Sequence, residues 1–139
     1  MAGRRFRSIK AWQKTDDLAA LVYELTQAFP REELYGLTSQ MRRAAVSAAA
    51  NIAEGSARRS RQEYLQFLSV ARGSLTELSY YGHLAQRLGL LVDSAADKLN
   101  ERCDEAARVL YGLTRAVTQE ATEGVSRVQL KESSTQSVV

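Results

Sequence analysis

Cysteine, histidine, proline and tryptophan each occur once in this chain of 139 residues. A lone cysteine, Cys103, excludes a disulfide framework within the chain, and a lone histidine, His83, excludes a histidine-rich metal site. Proline confined to position 30, with eight glycines, excludes collagen-like and proline-rich classes. No apolar run approaches the roughly 18 residues that a membrane-spanning helix needs. Met1 to Trp12 is basic but is followed by no apolar stretch, so it is not read as a secretory signal, and a reducing cytoplasm is the expected compartment. The phosphate-loop pattern, the dinucleotide glycine fingerprint and the Glu-x-x-His motif of di-metal bundles are missing. His83 falls in mid-helix and Cys103 on a core stripe, a poor setting for a nucleophile. No catalytic residue, metal or cofactor is expected, and the chain reads as a non-enzyme.

What remains is ordinary soluble composition, 45% hydrophobic and 25% charged, on a length that suits one domain with a tail. The net charge of +3 is unevenly spread. Residues 1–14 carry five basic side chains and no acid, residues 15–41 are acidic, and residues 42–72 hold six arginines against Glu54 and Glu63. Two arginine-rich segments in a balanced chain permit binding to a polyanion.

The apolar periodicity is helical throughout, and four helices are predicted. The first spans about Ser8 to Phe29 on a stripe of Leu18, Leu21, Val22, Leu25 and Phe29, stopped by Pro30. The second spans Leu37 to Glu54, with Gly55 as a left-handed cap. The third opens on the capping box Ser60-Arg61-Gln62-Glu63 and ends at Gly89. The fourth opens at Ser94, with Asp97 in its first turn and core positions from Ala96 to Val117 alternating three and four residues apart. After Glu120 the pattern fades. The expected organisation is a basic arm over 1–8, a bundle over 9–120 and a flexible tail over 121–139, with 121–130 a fraying extension and Lys131 to Val139 disordered. An antiparallel, up-and-down four-helix bundle is the simplest fold for these elements.

Two helices carry more apolar surface than one bundle needs. The second has a core face (Leu37, Met41, Ala44, Ala45, Ala48, Ile52) and another cluster, Val46, Ala49, Ala50 and Ala53, roughly 130° away. A polar strip of Arg43, Ser47, Asn51 and Glu54 lies on the far side between them. The third adds Val70, Tyr81, Leu84 and Leu88 beside its own core face. These eight second-face residues are the expected interface of a homo-oligomer.

The arginines supply the candidate ligand site. Arg58, Arg59 and Arg61 flank the start of the third helix, where free N–H groups and the helix dipole favour phosphate. Arg42, Arg43 and Arg72 extend the set, and Arg4, Arg5, Arg7 and Lys10 form a second basic group. Aromatic residues do not interleave with them in sequence, so backbone electrostatics on structured RNA is favoured over base stacking. Asn51, Glu54, Ser60 and Glu63 are read as a polar network fixing the turn, with Arg43, Arg58 or Arg59 compensating a glutamate at a helix C-terminus. The alternative function is a protein-interaction scaffold for a nuclease or reverse transcriptase.

Several ordered runs resemble the bacterial four-helix bundle family also called 23S rRNA intervening-sequence proteins. They are Trp12-Gln13-Lys14, Tyr35 to Ser47, Asn51-Ile52-Ala53-Glu54-Gly55, Ser60-x-x-Glu63-Tyr64-x-x-Phe67-Leu68, Ala71-Arg72-Gly73-Ser74 and Leu88-Gly89-Leu90-Leu91, within about residues 9–118. The resemblance implies an antiparallel four-helix bundle, usually a ring-like homopentamer, with no established catalytic residues. Ala48 departs from the larger aliphatic residue common there.

Overall fold

The computed structural model describes the backbone of residues 2–137 and the side chains of residues 4–124 and 129–131. A 3₁₀ segment, Ala2–Ser8, precedes α1 (Lys10–Thr26); a 3₁₀ turn, Arg31–Glu33, leads to α2 (Leu37–Ser56), then α3 (Arg61–Arg87) and α4 (Asp93–Ser137). There is no strand among the described residues. Each helix packs on two neighbours in the cyclic order α1, α2, α3, α4, with short connections that force antiparallel neighbours. No helix among the described residues is long and apolar enough to cross a membrane.

The ends follow from local chemistry. Thr26 donates its hydroxyl to the Val22 carbonyl at 2.7 Å, and Phe29 N–H reaches Thr26 O at 3.1 Å as the chain turns into extended Pro30. Proline excludes helical backbone at the residue before it, so α1 stops three residues short of Phe29. The Glu33 carboxylate accepts Leu37 N–H at 3.2 Å at the start of α2. Ser60 Oγ accepts Glu63 N–H at 3.1 Å and caps α3. At the other end Gly89, φ 76°, lets Leu90 N–H reach Ala85 O at 2.8 Å and its own N–H reach Gln86 O at 3.0 Å, a Schellman closure.

Two expectations are corrected. Gly55 is not a left-handed cap: it lies inside α2, is buried, and Gly89 is the one described glycine with positive φ. Its role is close approach, since a Cβ there would stand 2.6 Å from Phe67 Cβ of α3. Nor does helical order stop at Lys131: α4 starts at Asp93, one residue early, and continues to Ser137. No proline interrupts it, and Thr114, Thr118 and Thr122 return their hydroxyls to the carbonyls four residues back at 2.7–3.0 Å. The expected disorder of Val138 and Val139 lies outside the described residues.

The core is aliphatic and graded in size. Leu18, Val22, Met41, Ile52, Leu68, Leu78, Leu99 and Leu110 are fully enclosed, each burial contributing about 1.5–3 kcal/mol. Between them α2 presents Ala44, Ala45 and Ala48 at zero exposure, so its backbone sits close to its neighbours. Buried hydroxyls are satisfied: Thr15 bonds to Ala11 O at 3.0 Å, and Ser74 to Ser47 Oγ at 2.9 Å.

The contact at Gly55 gives a paired prediction. Gly55→Ala will overpack the α2–α3 seam and cost about 1–3 kcal/mol. Gly73→Ala, in α3 with open space around the added methyl, will stabilise by about 0.5–1 kcal/mol. Thermal unfolding of the two variants checks both signs.

Candidate nucleic-acid and assembly surfaces

The antiparallel order puts the start of α1, the end of α2 and the start of α3 at one end of the bundle. The basic 3₁₀ segment folds against that end. Phe6 packs edge-on against Trp12, ring centroids 4.9 Å apart, and Gln13 Nε2 donates to Arg7 O at 2.8 Å. Arg5 and Phe6 then share an open groove of about 760 Å³ with Ala50, Ala53, Glu54, Ala57 and Arg58. Two basic segments some fifty residues apart in sequence meet at this end, where Arg5 and Arg58 line one groove; Arg4, Arg7, Lys10, Arg59 and Arg61 belong to the same end by their place in the chain.

Part of that charge is engaged. Arg58 Nη2 meets Glu54 Oε1 at 2.7 Å and its guanidinium lies 4.7 Å over the Phe67 ring. Arg61 Nη2 meets Glu120 Oε2 at 3.0 Å. Arg59 is exposed and has no carboxylate partner among the described residues. The two pairs are solvent-exposed, and such pairs contribute about 0–1 kcal/mol, so a phosphate can displace either glutamate.

The other three arginines lie elsewhere. Arg43 Nη2 pairs with Glu77 Oε2 at 2.6 Å, and Tyr81 OH donates to the same oxygen at 3.3 Å. The Glu77 hydrogen bond raises the Arg43 pKa. Arg72 sits in a groove between α3 and α4 with Tyr80, His83 and Asp104. Arg42 donates Nε–H to Thr26 Oγ1 at 2.9 Å and lies 4.5 Å over the Tyr23 ring. The six arginines therefore do not form one patch: three belong to the basic end, Arg42 and Arg43 line one groove on α2, and Arg72 lines another.

The residues expected to form one polar network are held in three separate pieces. Asn51 Nδ2 donates to Ser47 O at 2.8 Å and to Ser47 Oγ at 3.1 Å, Glu54 takes Arg58, and Ser60 caps Glu63. The strip Arg43, Ser47 and Asn51 does not lie on a far side of α2. Its contacts to Glu77 and Ser74 make it the polar seam between α2 and α3.

The expected interface residues also separate. Val46, Val70 and Leu88 are about half exposed and Ala50 is exposed. Ala53, Tyr81 and Leu84 are half-buried, the last two against the chain's own core. Ala49 is a correction: it is buried within the subunit, because its position on α2 turns toward the core rather than outward.

One surface was not read from the sequence. Tyr23 of α1, Leu34 and Tyr35 of the connector, and Arg42 and Val46 of α2 converge on an open groove of about 620 Å³. Three segments supply it, so no local run announces it. The exposed place of Tyr23 on an otherwise apolar turn of α1 was the available signal.

Cys103 is buried, and burial pushes its thiol up to about 12. Among the described residues no group of three His, Cys, Asp or Glu side chains is placed to hold a metal ion.

Fold and sites together define an all-helical four-helix bundle with a basic end and an uncovered aromatic groove. A sequence model described as 23S rRNA-intervening sequence protein matches residues 7–112, and the chain belongs to that family. A crystal structure of a protein of unknown function from the S23 ribosomal protein family of Bacteroides thetaiotaomicron VPI-5482 has the same fold. It is 21% identical, with a TM-score of 0.70, covering 75% of this chain and 97% of that one. No curated protein matches.

The enclosed thiol predicts slow chemistry. Native protein at pH 8 will react with a disulfide reagent far more slowly than unfolded protein. Because the folded thiol pKa is raised, its stabilising share is complete below the ordinary 9.0 and is lost as pH rises towards about 12. Cys103→Ala will remove that part of the alkaline loss in a denaturation series against pH.

Proposed function

We propose that this protein is a non-enzymatic, homo-oligomeric bundle of the cytoplasm that binds structured RNA through its basic end. The observation that carries the reading is the meeting of the N-terminal arginines with the α2–α3 turn across the groove shared by Arg5 and Arg58. Guanidinium groups fit phosphate oxygens, and the start of α3 adds free N–H groups and a favourable dipole to the same end. The site holds exposed charge and no enclosed polar pocket, so it grips backbone rather than reading bases. A homo-oligomer multiplies a weak patch by presenting several copies to one RNA.

A second reading, a scaffold for a partner enzyme, has one observation in its favour. The groove of Tyr23, Leu34, Tyr35, Arg42 and Val46 has the Tyr, Arg and aliphatic character of a protein interface.

Fluorescence anisotropy with a labelled rRNA hairpin at about 50 and 200 mM salt tests the RNA reading. Binding that weakens steeply between the two is expected. Arg59→Glu and Arg5→Glu will each weaken it and lower the slope of log affinity against log salt by about 1. Arg72→Glu, on a different side, will leave it nearly unchanged. No binding at the lower salt sinks the reading.

A further inference from the structure

The α1–α2 groove lacks a cover. Around it Tyr23, Leu34, Tyr35 and Val46 are 46, 45, 93 and 44% exposed. Scattered exposed apolar side chains are normal on a monomer, but four around one groove mark an interaction site. Arg42 adds a directional element. Its Nε is held by the buried Thr26 hydroxyl and its plane by Tyr23, so its orientation is set before anything binds. Its two Nη groups have no carboxylate among the described residues. A fixed guanidinium fork accepts a carboxylate in a two-bond arrangement. The occupant therefore brings an apolar anchor and, near it, an acid.

The same chain carries such a segment. Val117 is the last buried residue among the described side chains of α4, yet the helix runs on to Ser137. The family match stops at residue 112, so this extension lies outside it. On the extension Leu130 is 69% exposed, and Glu123 is exposed with no ion pair among the described residues. Seven residues apart, they share a helix face about 10.5 Å apart along the axis. The extension leaves the bundle at the end where Glu120 meets Arg61. Arg42 and Tyr35 lie towards the opposite end, near the start of α2. A straight helix cannot return to its own groove, so the contact runs between copies.

We propose that the α4 extension of one copy docks in the α1–α2 groove of the next, with Leu130 among Tyr23, Tyr35 and Val46 and Glu123 on Arg42. It is a helix-in-groove contact. It is also heterologous, so it closes a ring or propagates a chain according to the angle between copies. The inference rests on the self-association part of the reading above and names its contact.

The test is the mass of the full chain by light scattering at micromolar concentration, without nucleic acid. The variants are Arg42→Glu, Leu130→Glu, a chain ending after Glu120, and the exchange Arg42→Glu with Glu123→Arg. None alters an enclosed side chain, and circular dichroism will confirm that each keeps its fold. The full chain is expected to assemble, and each of the first three changes to weaken association by at least about tenfold. The charge exchange will restore it. An assembly that survives truncation, or that the exchange fails to restore, overturns this contact and leaves self-association standing. A full chain that is monomeric overturns both, while RNA binding, read separately, is unaffected by that result.

Discussion

The close seam between α2 and α3 is the constraint from which the rest of the molecule follows. It exists because α2 sets Ala44, Ala45, Ala48 and Gly55 among its larger inward side chains, Met41 and Ile52. With Phe67 Cβ where a Gly55 side chain would stand, the two helices are near enough for Ser47 to bond Ser74 and for Arg43 to reach Glu77. Neither polar link would hold the seam alone, since an exposed ion pair contributes about 0–1 kcal/mol and a neutral hydrogen bond a similar net amount. The packing brings the polar groups together; the polar groups then fix the register.

That register sets the function proposed here. Because α2 and α3 meet closely at the Gly55 end, the turn between them is short and keeps Arg58, Arg59 and Arg61 at one end, Arg58 against Glu54 and Phe67 and Arg61 against Glu120. Trp12 and Phe6 carry the N-terminal arginines to the same place. Charge concentrates at one end because two apolar contacts, one at Phe67 and one at Phe6, bring distant segments together.

The helical architecture was legible because its signals are local. A stripe at three- and four-residue spacing, the Pro30 stop, the Ser60 cap and the Gly89 closure each act within a few residues of themselves. The failures share the opposite character. Gly55 has the composition of a cap, and only the position of Phe67, twelve residues on, reveals that it is a contact. The polar strip of α2 has the periodicity of a solvated face, and only the serine and glutamate of α3 turn it into a seam. The aromatic groove draws on three segments, so its members carry no common pattern. Ala49 shows the limit of angular reasoning: a helix with neighbours on two sides buries a wider arc than one stripe.

The two surfaces differ in the physics they can support, and this separates their roles. At the basic end the arginines are exposed and their pairs weak, so attraction there is long-ranged, screened by salt and indifferent to sequence. In the α1–α2 groove Arg43 is already paired with Glu77, while Arg42 is half-buried and oriented by Thr26 and Tyr23, with apolar surface around it. A site of that kind gains little from net charge and much from shape, because a desolvated pair rewards the one geometry that satisfies it and penalises the rest. RNA, a dense and uniform polyanion, suits the first surface. A folded helix with one acid and one apolar anchor suits the second. The groove lies towards the end opposite the arginines, so filling it covers none of its own copy's basic end.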